Sequence, residues 1–439
     1  MTERWSRRAL LASIGAVAVA GCTSSDGPGG TAPPTDSPTP APTPTRTASP
    51  TDVHTVSGTD RDGTPSTTET ASPGSPTETG AATPDGTPTA PASVGSDWPV
   101  PGADAGRSNA VPAAGPTEAV AELWRVSAGT SLSAPVLAGS SVYVGGDDGT
   151  VRALDAATGE SRWSVPAGDS AGTTRVVDGS VFVPVDGGLV ALAPGDGREQ
   201  WRVDTPDRRG LLVATHGVYW VDESGPTVVA LGLDGDERWR TDIADPWEPR
   251  VFASEDRVFI SSGPYDSRFW RLTVDTGEQL NRDPRRGADF PAEQCYRDGT
   301  VYAVDAFFGN VDATAVTDTG SGWRASVPPG GEAGGGLVAV GADRVYYTAN
   351  VDDEPGLTAL SRSDGRVAWT AEVSPTILGR PAVGTDSVVV PTTDGLRGFD
   401  PADGNQQWAS GVDVGDRGAL ADDLVFTTVD GSVVAYRPP

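Results

Sequence analysis

Ala153-Leu154-Asp155-Ala156-Ala157-Thr158-Gly159-Glu160-Ser161-Arg162-Trp163 joins the end of an apolar strand to a polar turn with glycine, then to a strand that carries a tryptophan. Apolar segments on both sides of a glycine turn are the pattern of an antiparallel hairpin. Upstream, Ala134-Pro135-Val136-Leu137 predicts a short strand, Val142-Tyr143-Val144 a second and Val151-Arg152-Ala153-Leu154 a third. Asp147-Asp148-Gly149 lies between the second and third, where Asp-Gly supplies the positive φ angles of a tight turn. Trp163 then sits on a fourth strand.

The same order recurs along the chain. Val181-Phe182-Val183, Asp186-Gly187, Val190-Ala191-Leu192, Gly197 and Trp201 repeat it, and so do Val388-Val389-Val390, Asp394-Gly395, Gly404 and Trp408. Tryptophans fall at 124, 163, 201, 239, 323, 369 and 408, with Leu280 in the remaining slot, at steps of 38 to 46 residues. A fixed period of this length marks stacked supersecondary units. A glycine stands four residues before Trp163, Trp201, Trp239, Trp369 and Trp408. That glycine relieves the turn into the fourth strand, and the tryptophan ring has the area to pack between neighbouring units. The last unit stops three residues after Tyr436, without room for another tryptophan strand. Leu123-Trp124-Arg125-Val126, conversely, is such a strand with no unit before it. The expected fold is an all-β, eight-bladed β-propeller closed by this N-terminal outer strand, which removes an exposed sheet edge.

The string 153–163 and its recurrences resemble the pyrroloquinoline-quinone-type propeller repeat over roughly residues 96–439. No Trp-Asp dipeptide occurs, so the pattern is not that of WD40 repeats. The resemblance implies one of two functional branches. One is the quinone-dependent alcohol and sugar dehydrogenases, which stack a quinone over the ring centre beside Ca²⁺ and an Asp base and often carry a vicinal cysteine pair. The other is non-catalytic, similar to the propeller lipoprotein of the bacterial outer-membrane assembly complex.

Residues 1–22 read as an export signal. Arg7 and Arg8 precede an apolar run from Ala9 to Gly21, too short at about 1.5 Å per residue to span a bilayer core of roughly 30 Å. The arginine pair resembles a twin-arginine signal. Val19-Ala20-Gly21-Cys22 resembles a lipobox, which implies a lipid on Cys22 as the membrane attachment. Residues 23–95 are dominated by Thr, Pro, Ser, Gly and Ala. Such a segment cannot bury enough apolar surface to order itself, so a disordered tether is expected, bare or O-glycosylated. The propeller occupies 96–439. These features place the mature protein on the extracellular face of the cytoplasmic membrane.

The net charge is −28, of which the propeller carries −24: residues 1–22 contribute +2, and 23–95 contribute −6 from eight acids and two arginines. Every basic residue is Arg. Dense acid without lysine suits concentrated salt, where screening shortens repulsion, and points to a halophilic archaeon. Such a surface repels nucleic-acid phosphates, so no nucleic-acid partner is expected.

Catalytic constellations are sparse. Cys295 is the one cysteine of the propeller, so a vicinal pair is missing; His54 lies in the tether and His216 in a strand-joining turn. No catalytic or metal residues are therefore assigned, and neither quinone nor Ca²⁺ is supported as a cofactor. Many aspartates sit in Asp-Gly turns that explain them without a metal. The preferred reading is a monomeric, non-catalytic scaffold for a protein or glycan partner, with a quinone- and Ca²⁺-dependent dehydrogenase as the alternative. The sector from Trp239 to Trp369 is the least regular and the richest in aromatics and arginine. Trp247, Tyr265, Arg268, Trp270, Phe307 and Phe308 are the candidate partner surface, because these residue types dominate binding hot spots. The competing reading makes them strand cores that fill the space left where Leu280 replaces tryptophan.

Overall fold

The computed structural model describes residues 97–205, 208–222, 224–244, 246, 248–262, 268–280, 291–305, 310–316, 322–327, 336–351 and 354–439. Residues 1–96, which hold the expected signal segment, Cys22 and the expected tether, lie outside the described residues, as do Trp247, Tyr265, Phe307 and Phe308. All regular structure among the described residues is β, in eight antiparallel sheets.

Blade 1 shows the common build. Val136–Ala138, Ser141–Gly145, Thr150–Asp155 and Ser161–Pro166 pair in chain order, from the innermost strand outward. Blades 2 (175–204), 3 (208–242), 5 (291–326), 6 (337–372) and 7 (382–410) repeat it. Blade 8 takes its first three strands from 418–437 and its outer strand from Ala121–Ser127. Trp124 pairs with Ala435 there as Trp163 pairs with Ala153 in blade 1. The N-terminal strand thus closes the ring in the register of an ordinary outer strand, as the sequence predicts.

The blades are joined through the tryptophans. Each indole N–H donates to a backbone carbonyl just beyond the third strand of the next blade: Trp124 to Ala156 at 3.0 Å, Trp163 to Pro194 at 2.8 Å, Trp239 to Val274 at 2.7 Å and Trp369 to Pro401 at 3.1 Å. A buried indole needs that acceptor, and burial of the ring adds apolar area. The turn glycine serves the preceding blade rather than its own tryptophan. Gly404 has φ +77°, and a Cβ there would stand 2.5 Å from the Trp369 ring. At the closing junction the third-to-fourth-strand turn is missing, because the outer strand comes from elsewhere. Trp408 instead donates to Pro116, just ahead of the closing strand, at 2.7 Å.

Blade 4 is the exception. Arg250–Ala253, Arg257–Ser261 and Phe269–Thr273 form a sheet of three strands. Among the described residues its outer strand is represented by a bridge between Leu272 and Gln279, with the Leu280 N–H donating to Arg271 O at 2.8 Å. Leu280 is 40% exposed, so it does not fill the junction as tryptophan does. Phe252, Phe259, Phe269 and Tyr296 fill it instead, with centroid separations of 5.3 to 6.3 Å. The Arg271 guanidinium donates to Val316 O in blade 5 at 2.7 Å, taking over the role of the missing indole N–H.

This arrangement corrects part of the candidate partner surface. Trp270 is 1% exposed and packs with Ile260 and Leu272, so its ring cannot meet a partner. It lies on the third strand of a blade, where alternate residues face the neighbouring sheets. Arg268 is half-buried with its guanidinium 5.3 Å above the Trp270 ring, a cation–π contact that covers the core edge.

Candidate functional site

The residues between the tether and the closing strand build the floor of an axial cavity. Trp98 exchanges both backbone hydrogen bonds with Leu137 of blade 1, and Pro99 O accepts from Val176 N of blade 2. Further on, Gly106 O accepts from Tyr296 N of blade 5, Ser108 O from Val340 N of blade 6, and Asn109 O from Val383 N of blade 7. The ladders show that Leu137, Val176, Tyr296, Val340 and Val383 are equivalent: each pairs with the second-strand residue that begins the apolar run Val142, Val181, Val301, Val345 or Val388. The strap formed by residues 98–111 therefore binds a single tier of the ring. It satisfies the axis-facing backbone groups of the innermost strands, which are otherwise unpaired edges.

Three residues before that tier, roughly 10 Å along the strands, stands a second tier. Counting back three residues in each blade gives Ala134, Thr173, Gly210, Arg250, Glu293, Leu337, Arg380 and Arg417 in blades 1 to 8, with a register shift near this level in blades 3 and 5. Arg175 lies two residues beyond Thr173 toward the strap, and the strap itself contributes Arg107 and Asn109. Ala134, Thr173, Arg250, Leu337, Arg380 and Arg417 of this tier, with Arg175, Arg107 and Asn109, line a cavity of about 530 Å³, together with Trp98, Pro135 and Pro391. Asp416 and Arg417, both about two-thirds exposed, line it at the end away from the strap.

Four guanidinium groups, those of Arg107, Arg175, Arg250 and Arg380, share this space. Burial is the main cause that lowers all four, and with the charges around them Arg107 stands at about 10 and Arg175 and Arg380 at about 9. Neighbouring positive charge is the second cause for three of them: Arg250 acts on Arg107, Arg107 and Arg208 on Arg175, and Arg107 and Arg250 on Arg380. Glu248 acts in the opposite direction on Arg250. All four remain protonated at neutral pH. Arg175 donates to the carbonyls of Thr173 at 2.9 Å and Leu211 at 3.4 Å. Among the described residues no carboxylate forms an ion pair with Arg107 or Arg175. A dense positive charge thus stands on the axis of a chain whose net charge is −28.

Sequence reading did not single out these arginines. Arg107 and Arg380 are 273 positions apart, and each alone looks like an ordinary surface cation. The signal was the column of equivalent positions across the repeat, where Arg appears three times, beside one Glu, among small and apolar residues.

The other singled-out polar groups have local roles. His216 bonds Tyr219 Oη at 2.7 Å and the Ser254 carbonyl at 2.8 Å, tying blade 3 to blade 4. Cys295 is fully buried, and burial pushes its thiol up and away from the reactive thiolate. Asp148 accepts from Arg152 at 2.6 Å and from Thr150 N at 3.0 Å, a closed turn network.

The family model described as outer membrane protein assembly factor BamB matches residues 117–219, 185–306 and 297–438. Among solved structures, BamB from Moraxella catarrhalis superposes with a TM-score of 0.54 at 17% identity, over 73% of this chain and 98% of that one. The quinohemoprotein alcohol dehydrogenase from Comamonas testosteroni gives 0.55 at 16%, over 78% and 80%. Saccharomyces cerevisiae Sqt1 gives 0.58 at 12%, over 72% and 99%. At these identities the three share the fold. No curated protein matches the chain in sequence. With its repeats matched in succession from 117 to 438, the chain belongs to the PQQ_2 family, described as outer membrane protein assembly factor BamB.

Proposed function

We propose that this protein is an exported propeller, anchored through a lipid on Cys22, that holds a protein or glycan partner at the outer face of the cytoplasmic membrane without catalysing a reaction. The observation that carries this reading is the composition of the axis. A quinone-dependent dehydrogenase needs Ca²⁺ ligands and a carboxylate base there. Here the strap floors the axis and four arginines wall it, so a divalent cation would meet strong repulsion. Among the described residues no group of three or more His, Cys, Asp or Glu is placed to hold a metal. The residues present do not fit a quinone–Ca²⁺ pair. Both kinds of protein occur among the fold neighbours, so the fold is neutral between them.

The anchoring is tested by Cys22→Ser. The variant is expected in the medium, whereas the parent sediments with membranes and is released by detergent. A variant that still sediments with membranes in high salt would contradict attachment through Cys22.

A further inference from the structure

We infer that the axial cavity is a binding site for a small multivalent oxyanion, a phosphate ester or a di- or tricarboxylate, held by Arg107, Arg175, Arg250 and Arg380. The inference deepens the binding role proposed above and rests on it. The four side chains come from the strap and from blades 2, 4 and 7, and the fold brings them to one cavity. Like charges gathered in a partly desolvated space destabilise the fold unless something offsets them. Most other arginines of the ring meet that need with nearby carboxylates, as Arg152 does with Asp148 and Arg324 with Asp312. Arg107 and Arg175 have no such pair among the described residues.

The cavity volume of about 530 Å³ lies in the range of small-ligand sites and is far too small for a folded partner. Guanidinium groups match phosphate and carboxylate oxygens through two parallel N–H donors each. Asn109 and Thr173 add polar wall, and the proline and Trp98 surfaces exclude water from the rest. The low-dielectric walls focus the field, so an anion is attracted here although the net charge of the chain repels it.

The test is calorimetric titration of the full chain at pH 7 with sodium pyrophosphate and with sodium citrate, NaCl keeping the ionic strength constant. One-to-one saturable binding is expected, weakened at least tenfold in Arg107→Gln and Arg380→Gln. It should be unchanged in Arg366→Gln, whose side chain is 87% exposed on an outer turn. Tighter pyrophosphate binding identifies a phosphate ligand, and tighter citrate binding a carboxylate. Because Arg107→Gln relieves like-charge repulsion, that variant should melt no lower than the parent without ligand. If either glutamine variant fails to fold, Arg380→Lys keeps the charge, loses the planar fork and should still weaken binding. Absence of saturable heat with both probes, or equal affinity in every variant, would overturn the inference. Membrane anchoring through Cys22 is read independently of these titrations, so the two proposals fail separately.

Discussion

Gly404 and Gly179 share the left-handed backbone, at φ +77° and +71°, but not the surroundings. A Cβ on Gly179 would touch nothing within 4 Å, whereas one on Gly404 would enter the Trp369 ring. Gly179→Ala should therefore cost only the backbone penalty, about 1–2 kcal/mol. Gly404→Ala adds overpacking, for a total of about 2–5 kcal/mol. Chemical denaturation of the two variants checks this, and equal losses would mean that the glycine serves its own turn alone. The glycine-to-tryptophan spacing was legible in the sequence because it recurs; its partner was not, because the contact crosses to the next blade. The arginines were illegible for the opposite reason. The aligned column points to Arg250 and Arg380, and only the folded ring brings Arg107 and Arg175 to the same cavity.

The closing strand Ala121–Ser127 was legible as an element, since Trp124 has no blade before it and Tyr436 none after it. Its register with 432–437 repeats that of the other outer strands, and Trp124 is only 9% exposed, with its indole bonded to Ala156. Deleting 121–127 removes a packed tryptophan and exposes the edge of 432–437. Stability should fall by several kcal/mol, with association through the bared edge. An unchanged melting temperature and a monomer on a sizing column would mean that the ring closes some other way. The sector around Leu280 was legible only as irregular. Its aromatics carry no mark that separates a binding surface from a core. Burial makes that separation, placing Trp270 inside and joining Phe252, Phe259, Phe269 and Tyr296 across the blade 4–5 junction. The strap was missed altogether, because residues 98–111 lack strand periodicity and take their order from the ring they cross.

At the scale of the whole molecule the charge is unevenly placed: a net −28 over the chain and a cluster of guanidinium groups on the axis. Propellers use the axis for very different purposes, and the fold does not choose among them. Here the axis has a floor of the chain's own backbone and arginines in its walls, and the proposed binding role rests on them. The most direct measurement of the claim that this propeller binds rather than catalyses is dye reduction by the full chain loaded with pyrroloquinoline quinone and Ca²⁺, offered a panel of alcohols and sugars. The account predicts a rate equal to that of the same mixture without protein. Substrate-dependent turnover that requires both quinone and Ca²⁺ would contradict it.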